Sequence, residues 1–104
     1  MKAEQTQFLV LKSQRAVTVE IDTEAAAAYV RFKRARIVKT VRHSAKWPIV
    51  TIDLDARNEV VGVEFVGVKR FDLRYLLKHV PLKAPPEVIA RASYVSAEAD
   101  LVAA

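Results

Sequence analysis

The sequence predicts an α+β fold, an antiparallel β-meander of four to five strands followed by C-terminal helices. Three observations predict it. Apolar and polar residues alternate in short runs as far as residue 66, the pattern of strands with one buried face. Two of these runs, 50–54 and 60–66, are joined by a short polar segment, as in a hairpin. Beyond Gly67 the apolar residues recur at helical spacing, punctuated by Pro81, Pro85 and Pro86.

In chain order, residues 17–22 (VTVEID) set Val17, Val19 and Ile21 against Thr18, Glu20 and Asp22. Asp22 or Thr23 then caps a helical turn over 25–28, because a short side-chain oxygen accepts from the free amides of a helix start. Tyr29, Val30, Arg31 and Phe32 read as the next strand. Residues 33–36 turn without a glycine, and 36–43 form a strand with Ile37 and Val41 on one face and Val38, Thr40 and Arg42 on the other. Pro48 stands at the entrance to the following strand, where its missing N–H costs least. In the hairpin, Val50, Ile52 and Leu54 share a face. Val61, Val63 and Phe65 share another, opposed by Val60, Gly62, Glu64 and Val66. A helix over 71–80 starts at the cap Asp72 and stops at Pro81. A second, over 86–98, opens on Pro85, Pro86 and Glu87 and carries Val88, Ile89, Ala92 and Val95 as its apolar stripe. Residues 101–104 are expected to fray. The two helices supply the cover that a one-sided sheet requires. Residues 1–104 thus form one domain, with 17–66 as its β core.

With 52% hydrophobic residues the chain has material for a real core. The absence of cysteine excludes disulfides and thiolate metal sites and fits a reducing compartment. The apolar run 8–11 is too short for a signal-peptide core, and no charge-free stretch would span a bilayer, so a cytoplasmic, non-membrane protein is expected. The net charge of +5 is uneven. Residues 1–30 and 81–104 are each −1, whereas 31–80 are +7. The excess concentrates in 31–46 (RFKRARIVKTVRHSAK), which holds seven Lys/Arg and no acid. Such a block attracts anions without naming one.

The segment most like chemistry is 49–66, with Asp53, Asp55, Glu59 and Glu64. As a calcium loop it fails: Arg57 stands where an oxygen ligand belongs, Asn58 where the sharp turn wants glycine, and Glu64 falls inside a strand. As a catalytic pair the carboxylates lack a cleft to separate their pKa values. The reading is a solvated hairpin face, its acids paired across the sheet with cations such as Arg31, Lys33, Lys39 and Arg42. His43 and His79 have no partner at ligand spacing, and no serine sits in a nucleophile motif. No catalytic residue, cofactor or metal is expected, and an enzyme has little support.

Two stretches carry a resemblance. One is Asp22-Thr23-Glu24-Ala25-Ala26-Ala27-Ala28-Tyr29-Val30. The other is Asp53-Leu54-Asp55-Ala56-Arg57-Asn58-Glu59-Val60-Val61-Gly62-Val63-Glu64-Phe65. Over about residues 17–66 the chain resembles DUF2283, a family of small, mostly bacterial proteins. Here Thr23 replaces the usual proline, Ala26 replaces an acid, the turn glycine is Asn58 or absent, and 31–46 is basic where the family core is acidic. The resemblance implies a small α+β domain with no assigned reaction, in some members an antitoxin-like role, and it makes the acids part of the hairpin.

Two functions are expected to compete. The first is a protein-interaction module, antitoxin-like or regulatory, working as a homodimer or with a small protein partner. Its interface would be a second, apolar sheet face that includes Val30, Phe32, Val38, Val60 and Val66. The alternative is nucleic-acid binding by the 31–46 hairpin. Arg31, Lys33, Arg34, Arg36, Lys39, Arg42 and Lys46 would contact phosphates, and Phe32 and Trp47 would offer stacking surfaces.

Overall fold

The computed structural model describes residues 9–10 and 16–96. The elements are β1 (Leu9–Val10), β2 (Thr18–Asp22), β3 (Ala27–Arg31), β4 (Lys39–Ser44), β5 (Ile49–Leu54), β6 (Val60–Val66), α1 (Leu73–Leu76), β7 (Leu82–Lys83), α2 (Pro86–Ala90) and β8 (Ser93–Ser96). A 3-10 turn, Leu77–His79, follows α1 directly. The fold is mostly sheet, with short helices. β1 and β7 form a small parallel pair. The other strands make one mixed sheet in the order β4-β5-β6-β3-β2-β8, antiparallel except for β2 beside β8.

That order is not a simple meander. β2–β3 and β4–β5–β6 are each antiparallel and consecutive, but β6 inserts next to β3, so β3 and β4 are separated by two strands. Residues 31–46 are therefore not a hairpin, as the sequence had implied. The segment after β3 crosses the end of the β5–β6 hairpin. It is tied there by the Phe32 amide donating to Val61 O at 2.8 Å and the Val38 amide donating to Leu54 O at 2.9 Å.

The core lies on one side of the sheet. Val17, Val19, Val30, Phe32, Val50, Ile52, Val63 and Phe65 face Leu73, Leu76, Val80, Leu82 and Val88. Two expected faces are corrected here. Val30 pairs with Val19 on one side and Val63 on the other, which places it, and Phe32 two residues on, in the core. Between Asp53↔Gly62 and Leu54↔Val60 the register slips by one residue. This bulge turns Val60 into the core, with Val61 the extra residue.

The expected 25–28 helical turn is instead the tip of the β2–β3 hairpin, with Ala27 and Ala28 in the strand. Asp22 does cap it, accepting from the Ala25 amide at 3.1 Å. The C-terminal helices are shorter than expected. Asp72 caps α1 through the Tyr75 amide at 2.8 Å, but the turn tightens at Leu77 and ends before Pro81. α2 has five residues, and the chain after Arg91 becomes β8, because Tyr94 and Val95 suit a strand and the Ser93 amide donates to Val17 O at 2.8 Å. Residues 97–98 of the expected second helix, and 101–104, lie outside the described residues. No described helix is long and apolar enough to cross a membrane.

Candidate functional site

The sheet side away from the core is polar. The register aligns Thr40 with Asp53, Asp53 with Gly62, Gly62 with Arg31, and Arg31 with Thr18; one step along lie Arg42, Thr51, Glu64, Tyr29 and Glu20. Asp53 is held from both sides. Tyr29 donates to Oδ2 at 2.8 Å and Thr40 to Oδ1 at 2.6 Å. The Tyr29 ring reaches Asp53 by lying over Gly62, where an added Cβ would overlap its hydroxyl and Cζ. Gly62 thus makes room for the tyrosine side chain. Burial, then the hydrogen bond to Asp53, pushes the Tyr29 phenol up from its ordinary value. Arg31 lies over the Tyr29 ring at 5.0 Å and pairs with Glu20 at 2.9 Å.

Asp55 closes the hairpin. Its Oδ1 accepts from the Arg57 and Glu59 amides at 2.8 and 2.9 Å. Asn58 fills a left-handed turn position at φ 63°, a conformation that asparagine adopts more readily than most side chains. Lys33, arriving from the crossover, pairs with Asp55 at 2.5 Å and Glu59 at 2.8 Å. Those bonds raise the Lys33 ammonium pKa and hold the Asp55 carboxyl down to about 2. The oxygens that resembled a metal loop are occupied by the turn's own amides and by a lysine. Among the described residues no group of three or more His, Asp or Glu is placed to hold a metal. His79 packs its ring edgewise on Tyr75 at 5.0 Å.

The predicted interface residues are dispersed. Phe32 and Val60 are 1% and 6% exposed, inside the core, and offer no surface. Val66 is half-buried between Ala27 and Ile49, and only Val38, 59% exposed, is open. The predicted cations also divide. Arg31 and Lys33 are paired. Arg34, Arg36, Lys39, Arg42 and Lys46 are exposed and make no ion pair among the described residues. They lie along β4 and its two flanking segments, together with exposed Ile37, Val38 and Val41. β4 is one of the sheet's two outer strands, with β8 at the opposite edge, and is exposed in every residue but Ser44. At its far end Trp47 is 71% exposed and packs over Gly67, whose φ of 92° and lack of a Cβ admit the indole. Sequence reasoning missed the Tyr29–Asp53–Thr40 bonds; the signal was the presence of tyrosine and glycine in the two related stretches.

No curated protein and no solved structure matches the chain. A family model, described as a protein of unknown function (DUF2283), matches residues 18–69, from the start of β2 through β6. The hairpin acids, Tyr29 and Gly62 all fall within that match, and the chain belongs to the DUF2283 family.

Proposed function

We propose that the protein is a protein-interaction module, regulatory rather than catalytic, and that it works through the rim formed by residues 34–47. One observation carries this reading: the outer strand β4 leaves its cations unpaired among exposed apolar residues. On the inner strands and at the hairpin turn, by contrast, Asp53, Asp55, Arg31 and Lys33 are engaged internally. A rim that joins apolar contact area to unneutralised charge suits a partner surface of opposite sign.

A second reading is nucleic-acid binding, favoured by exposed Trp47 beside Lys46, since an open aromatic with nearby cations serves as a stacking platform. Fluorescence anisotropy of the full chain at 0.15 M salt separates the two. The probes are an unstructured acidic polypeptide and a single-stranded oligonucleotide of equal charge. The interaction reading expects tighter binding of the polypeptide, lost when the five unpaired cations become alanine. Tighter oligonucleotide binding, with a log–log salt slope near about −3.5 for five phosphate contacts, would replace it with the second reading.

A further inference from the structure

We propose that β4 takes up an acidic, extended segment of a partner protein by antiparallel strand addition, adding a seventh strand to the sheet. The proposal deepens the interaction reading above and rests on it.

β4 pairs with β5 on one side and with no strand on the other among the described residues. Alternate backbone amides and carbonyls of such a strand point away from the sheet and form a template for pairing. Most of the usual obstructions are missing. Residues 39–44 contain no proline and no acid, and none of their side chains belongs to the core that the helices cover. A register slip between Arg42 and Ser44 shortens the regular part of this edge, and the remaining guard is positive charge, from Lys39 and Arg42 within the strand and Arg36 and Lys46 beside it.

That guard is selective. Antiparallel pairing of β4 with the β4 of a second copy would set cations against cations, which is destabilising. A strand carrying carboxylates meets the opposite sign. The two faces of β4 specify the segment further. Val41 lies opposite Ile52 on the core side yet stays 37% exposed, and Ile37, two residues before the strand, is 44% exposed. Apolar side chains on an added strand would bury this area and extend the core sideways. On the other face Thr40 is already bound to Asp53, which leaves Arg42 for a carboxylate. Lys39 shares the Val41 face, so the segment alternates acidic with mainly apolar residues and carries one further acid toward Lys39, at the start of β4. Where β4 begins, a cavity of about 380 Å³ is lined by Lys33, Arg36, Val38, Asp55, Ala56 and Arg57. Lys33 and Asp55 pair with each other, so Arg36 and Arg57 supply its free charge for the end of the segment.

The test uses the full chain and a blocked nine-residue peptide of alternating glutamate and valine, followed by anisotropy and amide exchange. Binding should protect amides within residues 39–44. Lys39→Glu with Arg42→Glu should weaken it about tenfold or more, and the same variant should bind the corresponding lysine–valine peptide. Two further peptides carry N-methyl groups on alternate residues. Strand addition expects one to lose binding and the other to match the parent, because only alternate amides face the protein. Equal binding of both, or no protection over 39–44, overturns strand addition and leaves the interaction reading standing. No binding of the parent at about 1 mM also overturns it, and the polypeptide experiment above then decides the interaction reading. A protein that self-associates through β4, with the dimer broken by the charge-reversed variant, overturns it in favour of a second copy.

Discussion

Arg31 and Lys33 belong to the same basic run as Arg34, Arg36, Lys39, Arg42 and Lys46, yet the fold treats the two groups differently. The first two stand on or just beyond β3, an inner strand between β2 and β6, and find acids there: Glu20, Asp55 and Glu59. The other five stand on β4 or beside it. Among the described residues their only strand neighbour is β5, whose one carboxylate, Asp53, is taken by Tyr29 and Thr40. Charge counted along a chain is therefore not charge available on a surface. Strand order decides which cations are neutralised and which remain unpaired.

The sharpest way to break this contrast is in the core beneath it. Phe32→Ala, at the inner end of the run, should cost about 3–5 kcal/mol through lost burial and the cavity left behind. Val41→Ala on the outer strand should cost under about 1 kcal/mol. Urea unfolding measures both. A Val41 variant as damaged as the Phe32 variant would mean that β4 is covered and its cations are not free.

Gly62 sharpens the comparison at the open face. Gly62→Ala should displace Tyr29 from Asp53 and from under Arg31, costing about 1–3 kcal/mol as an overpacked contact. In a Tyr29→Ala background the same methyl has nothing to strike, so a double-mutant cycle should show coupling of about 1 kcal/mol or more. Additive costs would contradict the contact.

The inner lysine also leaves a trace in the pH dependence. Asp55 is held from its ordinary 3.8 down to about 2, first by Lys33 and then by the Glu59 amide. The unfolded chain thus takes up the proton more readily than the folded one. Asp55 contributes stability that is fully present above about pH 4 and is lost as the pH falls through about 2. Asp55→Asn should lower stability at neutral pH and flatten the curve between those values. Lys33 works in the opposite sense: its raised pKa adds stability below its ordinary 10.5 that is lost as the pH climbs beyond that value. An acid limb unchanged in the Asp55→Asn variant would place the Lys33 pair outside the folding equilibrium.

Much of the sheet was legible because its signals are local. Alternation found β2, β5 and β6, the short polar segment between the last two found the hairpin turn, and Asp72 marked the start of α1. The errors arose where a neighbour decides. Val30 and Phe32 could not be assigned a face until β3 was known to lie between β2 and β6. Val60 was misplaced by a one-residue bulge, which reverses every side chain beyond it. The run 86–98 has a helical stripe, but Tyr94 and Val95 also suit a strand, and the open side of β2 offered one a place. The site was legible as a basic block. Which cations remain unpaired, and the reach of Tyr29 across Gly62, depend on strand order and not on spacing.

The smallest expected effect tests the comparison most directly, through its sign. Lys33→Ala removes a partner from Asp55 and Glu59 and should destabilise the fold by about 0.2–1 kcal/mol, since the pair is partly screened by solvent. Lys39→Ala and Arg42→Ala remove charges that make no ion pair among the described residues. Each should change stability by no more than about 0.5 kcal/mol, and at low ionic strength the change should be a gain, as like-charge repulsion along β4 is relieved. Added salt should shrink both effects toward zero from opposite sides, because screening weakens attraction and repulsion alike. Thermal unfolding of the three variants at about 0.01 and 0.5 M salt reads this out. If Lys39→Ala or Arg42→Ala destabilises as Lys33→Ala does, and salt diminishes the loss, then β4 has found acids within its own chain. Its charge would then already be spent inside the molecule, and the rim would have no excess to offer a partner.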